Sequence, residues 1–185
     1  MIIGITGTIG SGKGTVVEYL REKKNFQHYS VSQLLGELVE KEGNPKRREY
    51  LSPMATKLQA EYPGGAVEKI YREKYCVEQP KNAVIESIHR QSEADFLKSI
   101  GGLIIGVDAD IATRYERTQV RNEGEKDQLS FEEFKQHSHI EDDGGGDAIR
   151  DNNIRAVINN ADYTIENNGS LEDLHVSVDI FLKSI

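Results

Sequence analysis

Short apolar runs alternate along this chain with stretches in which apolar residues recur every three or four positions. Met1 to Ile5 forms the first run and leads straight into glycines, after which Val16, Val17 and Leu20 follow at helical spacing. His28 to Val31 predicts a second short strand, and Leu34, Leu35 and Leu38 predict a helix over 32–41 that Gly43-Asn44-Pro45 ends. Two more helical stretches, 48–61 and 66–77, are divided by Tyr62-Pro63-Gly64-Gly65. Ala83-Val84-Ile85 marks a third strand within 82–87, and a helix over 91–100 precedes the most apolar run, Leu103 to Val107, which ends at Asp108. The next helix starts near Asp110 and carries Arg114, Arg117 and Arg121. The pattern then lapses. Residues 122–146 are mostly polar, with a short helical piece over 130–137 and a close on Asp142-Asp143-Gly144-Gly145-Gly146. A helix over 148–159, a strand over 162–166 and a helix over 170–184 complete the series.

Five strands separated by helices predict parallel pairing through right-handed crossovers. The expected fold class is therefore α/β, a three-layer α/β/α sandwich with both faces of the sheet covered. Ligands of such sheets sit at the carboxyl ends of the strands. Polar residues gather at those ends: the glycines after the first strand, Ser30 and Ser32 after the second, Glu86 after the third and Asp108 after the fourth.

Gly7-Thr8-Ile9-Gly10-Ser11-Gly12-Lys13-Gly14-Thr15 reads as a phosphate-binding loop of the Walker A type. A strand ending in glycines turns tightly enough for consecutive N–H groups to converge on an anion at the next helix's N-terminus. Lys13 adds a cation for the β- and γ-phosphates. A flexible linker needs neither that lysine nor the flanking strand and helix. The general pattern places Ser or Thr directly after the lysine as a Mg²⁺ ligand, but here that position is Gly14 and the hydroxyl follows at Thr15. The metal must lean on another residue.

With 185 residues and 37% hydrophobic content, the chain suits one core, so 1–185 is expected to be a single domain. A formal net charge of −8 argues against a nucleic acid polymer as partner and confines phosphate binding to a local pocket. One cysteine, Cys76, excludes an internal disulfide. No charged-then-apolar leader opens the chain, and no apolar run approaches the roughly 20 residues of a membrane span. The expectation is a cytoplasmic protein without membrane partners, monomeric or weakly homodimeric.

The Gly-Lys-Gly-Thr ending resembles adenylate kinase and related nucleoside monophosphate kinases. So, in order, do Tyr29 to Leu35, Ile85 to Arg90, Val107 to Asp110 with Arg114 to Arg117, and Ala161 to Leu171. Across nearly its whole length the chain resembles the adenylate kinase and dephospho-coenzyme A kinase superfamily, and more closely the small archaeal-type adenylate kinase-related proteins. The resemblance implies strand order 2-3-1-4-5, a helical acceptor-binding insert at about 32–78 and a lid at about 122–146.

It also implies roles. Gly7 to Thr15 would hold ATP, with Asn168 and Gly169 approaching the adenine, and Thr15 is a possible metal ligand. Glu86 stands where relatives carry an acidic residue that orders Mg²⁺-bound water. Arg90 lies four residues on, at the adenylate kinase interval for the arginine that grips the acceptor phosphate, whereas in the closer relatives the arginine stands at the position of His89. Arg48 and Ser30 are further acceptor candidates, though a serine at a helix start is more often an N-cap. Arg117 and Arg121 share a helical face and, as in relatives, would neutralise the transferring phosphoryl group. Arg150 and Arg155 rank below them. His137-Ser138-His139 with Asp142 and Asp143 reads as surface rather than as a metal site, and the glycines at 144–146 as a lid hinge.

The function expected is transfer of the γ-phosphoryl group of ATP, with Mg²⁺, to a nucleoside or deoxynucleoside monophosphate. Dephospho-coenzyme A kinase is the alternative, and its relatives place aspartates after the second strand to deprotonate a sugar hydroxyl. None occurs between Tyr29 and Leu35, where Gln33 stands instead. A second alternative is a nucleotide-binding regulator with weak ATPase activity.

Overall fold

In the computed structural model, residues 1–121, 128–143 and 153–185 are described. Five strands form one parallel sheet: β1 (Ile2–Gly7), β2 (Gln27–Ser30), β3 (Ala83–Glu86), β4 (Leu103–Asp108) and β5 (Tyr163–Glu166). Their order is β2-β3-β1-β4-β5, with every neighbouring pair parallel. Central β1 is buried along its entire length, as a strand covered on both faces must be.

Alternation divides the core into two layers. Ile3, Ile5, Val84, Ile105, Val107 and Ile165 face α1 (Lys13–Lys24) and α10 (Leu171–Ser184), which contribute Val16, Val17 and Leu20, and Leu174, Val178 and Phe181. Ile2, Tyr29, Ile85 and Ile104 face the other way, onto α2 (Val31–Lys41), α3 (Arg48–Glu61), α4 (Gly65–Ile70), α6 (Gln91–Ser99) and α9 (Ile154–Asn159). Truncating a fully buried residue such as Leu20 to alanine costs about 2–5 kcal/mol in such a core.

The helix expected over 66–77 continues past α4 through a π-helical turn, Tyr71–Tyr75, into α5 (Cys76–Glu78). Tyr71 and Tyr75 stack there with ring centroids 5.4 Å apart. Asp110 donates its backbone N–H to Asn168 Oδ1 at the start of α7 (Ile111–Arg121). The helical piece expected over 130–137 runs on to Asp143 as α8 (Phe131–Asp143), so Asp142 is helical rather than part of a glycine turn. The glycine hinge, Arg150 and the start of the helix expected over 148–159 lie outside the described residues. No described helix is long and apolar enough to cross a membrane.

Candidate active site

The glycine loop joins β1 to α1 and takes its shape from two left-handed glycines. Gly10 has φ 76° and lies so close to the Arg114 backbone that a Cβ would sit 2.5 Å from its carbonyl oxygen. Gly12, φ 96°, caps α1, and a Cβ there would sit 2.4 Å from Asn167 Nδ2. That amide donates to the Ser11 carbonyl at 2.8 Å, so the β5–α10 connection braces the loop from behind. Lys13 folds back over the loop, with Nζ 3.3 Å from the Thr8 carbonyl. Gly14 is exposed, and a Cβ there would meet nothing within 4 Å. Thr15 is half-buried in the first turn of α1.

Glu86 closes β3 beside this loop. Its Oε1 is 3.2 Å from His28 Nε2, and the His28 contact, Ser30 and Lys13 together hold its carboxyl below the usual range despite half-burial. Ser30 is the N-cap of α2, accepting from the Gln33 N–H at 3.2 Å. Gln33 in turn donates to Glu37 at 2.7 Å.

Of the pair His89 and Arg90, the arginine is the buried one. Its backbone caps α6 through Glu93, and its Nη1 donates to the Ala55 carbonyl of α3 at 3.3 Å. Glu93 is wholly buried, and burial pushes its carboxyl up to about 7 although the His89, Arg90 and Ala66 N–H groups and the Arg90 charge pull it down. Arginine is not a residue that marks an N-cap, so only Glu93 at the third helical position hinted at this cap in the sequence. Arg48 starts α3 at the surface, and Arg121 ends α7 there.

Arg117 lies over the β5–α10 connection, its Nη1 donating to the Asn167 carbonyl at 2.9 Å and its Nη2 reaching the Gly169 carbonyl at 3.5 Å. The structure therefore gathers the loop, Lys13, Glu86 and Ser30 at one sheet edge and places Arg117 with Asn168 and Gly169 behind the loop. A further cluster went unread in the sequence. Thr8 donates to Asp108 at 2.8 Å, Asp108 pairs with Arg155, and Arg155 reaches Asp142, which also faces Arg114. Burial raises the Asp108 carboxyl, but Arg155 and Thr8 outweigh it and hold it below the ordinary range. His137 and His139 are exposed on either side of buried Ser138.

No three His, Cys, Asp or Glu side chains group to hold a metal among the described residues. Mg²⁺ is commonly held by one or two carboxylates plus substrate phosphates and waters, and ionised Glu86 with the Thr15 hydroxyl suits that donor set.

Residues 3–140 match a family model described as an AAA domain. A UPF0200 protein of Sulfurisphaera tokodaii is 33% identical over 186 residues, spanning 100% of this chain and 97% of that protein. The chain belongs to this AAA-domain family and to the UPF0200 proteins. Another UPF0200 protein, from Aeropyrum pernix, is 30% identical over 94% of this chain and 88% of its own length. The fold of this UPF0200 protein is that of the P-loop kinases. Shikimate kinase from Aquifex aeolicus superposes with a TM-score of 0.57 at 18% identity, covering 100% of this chain and 97% of that one. Dephospho-CoA kinase from Campylobacter jejuni superposes with a TM-score of 0.53 at 15% identity, covering 99% and 96%.

Proposed function

We propose that this protein transfers the γ-phosphoryl group of ATP to a nucleoside or deoxynucleoside monophosphate. The carrying observation is a phosphate-binding loop whose Lys13 acts electrostatically on Glu86, held below the usual carboxylate range at the end of the strand next to β1, with no carboxylate from Tyr29 to Leu35 to serve as base. A monophosphate is already an anionic nucleophile and needs none. The loop amides and Lys13 bind the donor phosphates, Glu86 holds a metal-bound water, and Asn168 with Gly169 borders the adenine. Mg²⁺, when bound with the nucleotide, supplies charge neutralisation at the β- and γ-phosphates. Buried Arg90 at the α3 boundary is the preferred grip for the acceptor phosphate, since its planar fork meets two oxygens at once, with Arg48 and His89 secondary. Arg117 and Arg121, one turn apart on α7, are the stabilisers of the transferring group. The site reads as serving small-molecule nucleotides in the cytoplasm.

A hydroxyl acceptor such as dephospho-coenzyme A is the second reading. The His28–Glu86 pair favours it, since an imidazole oriented by a carboxylate is able to take a hydroxyl proton.

ADP release from Mg-ATP, measured with each ribo- and deoxynucleoside monophosphate and with dephospho-coenzyme A, decides between them. A large monophosphate-dependent rate is expected. Stimulation by dephospho-coenzyme A alone selects the second reading, and tight ATP binding without stimulation by any acceptor selects a nucleotide-binding regulator. Glu86→Gln is expected to lower turnover about 100-fold while leaving ATP affinity within about threefold. Unchanged turnover at saturating Mg²⁺ removes Glu86 from the mechanism.

A further inference from the structure

One side chain ties α8 to the nucleotide-facing side of the sheet. Asp142, buried near the end of α8, places Oδ2 3.6 Å from Arg114 Nη2 and 3.6 Å from Arg155 Nη2. Arg114 is itself buried in α7, donates from Nη1 to Ser138 Oγ at 2.7 Å and comes within 3.5 Å of the Ile9 carbonyl in the phosphate-binding loop. Arg155, from α9, pairs with Asp108, whose other oxygen accepts from Thr8 of the same loop. Two guanidinium groups from different helices thus converge on one carboxylate at the rim of the glycine loop.

The fit is electrostatic rather than geometric. Contacts of 3.6 Å are ion pairs too long to be hydrogen bonds, so the carboxylate balances both arginines without meeting their forks. Arg114 Nε is buried and has no hydrogen-bond acceptor among the described residues. A buried donor left unmet is destabilising, and a larger anion would relieve that cost. A phosphate group is such an anion: it carries three oxygens against the two of a carboxylate and matches a guanidinium fork bidentately.

We infer that Asp142 is an internal stand-in for a phosphate group, occupying the Arg114–Arg155 site until a nucleotide phosphate displaces it and releases α8. The inference rests on the reading that the loop binds nucleotide phosphates. In the nucleotide-free protein the carboxylate prevents buried Arg114 and the partly exposed Arg155 from facing each other unbalanced. On binding, the phosphate takes over that balance, and α8 becomes free to move relative to the sheet. ATP must therefore compete with a tethered carboxylate, and its affinity is set partly by residue 142.

The test uses the full chain with exposed Cys76 replaced by serine and spin labels at Gln136→Cys on α8 and Glu172→Cys on α10. Label separation and ATP affinity are measured with and without Mg²⁺ and a non-hydrolysable ATP analogue. Otherwise unaltered protein is expected to change separation only when the analogue binds. Asp142→Asn is expected to adopt the analogue-bound separation without nucleotide and to bind ATP on the order of five- to tenfold more tightly. Asp142→Glu, which keeps the charge, is expected to behave as the parent. Thermal melting confirms that each variant folds. Identical separations in parent and Asp142→Asn, or unchanged or weaker ATP binding by the folded variant, overturn the inference. So does a parent protein whose label separation stays fixed when the analogue binds, a result that does not need the variant to fold. Movement of α8 in Asp142→Asn while neither chain binds ATP overturns both the phosphate half of the inference and the nucleotide reading. Tight ATP binding with no effect of residue 142 overturns the inference alone.

Discussion

Gly14 occupies the position at which a P-loop hydroxyl ordinarily meets Mg²⁺, and packing does not demand glycine there, since a Cβ would enter open space. Gly14→Ser is therefore expected to fold, to stabilise α1 by about 0.5 kcal/mol, and to lower the half-saturating Mg²⁺ concentration roughly three- to tenfold if that hydroxyl reaches the metal. Magnesium titration of ATP turnover checks it, and an unchanged titration places the metal away from this position. Arg90 and His89 illustrate how neighbouring residues part company. Adjacent in the chain and both donating a backbone N–H to Glu93, they differ because the Arg90 side chain is buried with its Nη1 on the Ala55 carbonyl of α3, whereas His89 is half-buried. The same holds for Arg117 and Arg121. Helical spacing puts both on one face, and Arg117 meets carbonyl groups of the β5–α10 connection, while Arg121 lies exposed at the end of α7.

At the level of elements, Glu93 joins three: it belongs to α6, accepts from the chain leaving β3 at His89 and Arg90, and takes the Ala66 N–H in the first turn of α4. Its folded-state value of about 7 exceeds the usual carboxylate value of about 4.3 in an unfolded chain. A raised value means the folded state binds the proton more tightly, so this contribution to stability is complete below about 4.3 and is lost as pH rises through about 7. Glu93→Gln keeps a neutral acceptor for the same N–H groups. Its melting temperature is expected to rise relative to the parent between pH 5 and 8, and parallel melting curves across that range rule the effect out. Arg90, which we propose as the acceptor grip, hangs on this junction. In that proposal, acceptor affinity depends on how α4 and α6 meet.

Across the whole molecule, the Thr8–Asp108–Arg155–Asp142–Arg114 chain of contacts connects the glycine loop, β4, α9, α8 and α7. Arg155 is 38% exposed, so water screens part of its pairing with Asp108. Asp108→Asn retains an acceptor for Thr8 but removes the charge, and is expected to cost about 1–2 kcal/mol at pH 7. Because the folded-state value of Asp108 is depressed, its contribution is present above the unfolded value of about 3.9 and disappears as pH falls below it. Urea unfolding at pH 7 and pH 3 is expected to show a gap between parent and variant that closes in acid. A gap equal at both pH values excludes the charge as its source.

Local chemistry determined much of this protein. Five apolar runs had to become buried strands, helical spacing between them required crossovers, and the glycines with Lys13 required an anion-binding turn, because each signal lies within a dozen neighbouring residues. The resemblance supplied the strand order that the sheet adopts. Tertiary structure alone decided that Asn167 braces the loop, that Arg117 turns to the β5–α10 connection, and that α8 runs on to put Asp142 between two arginines. Periodicity gives no sign of such contacts. They join residues far apart in the chain, and a charged side chain takes its partner from whatever the packed helices bring within a few ångströms.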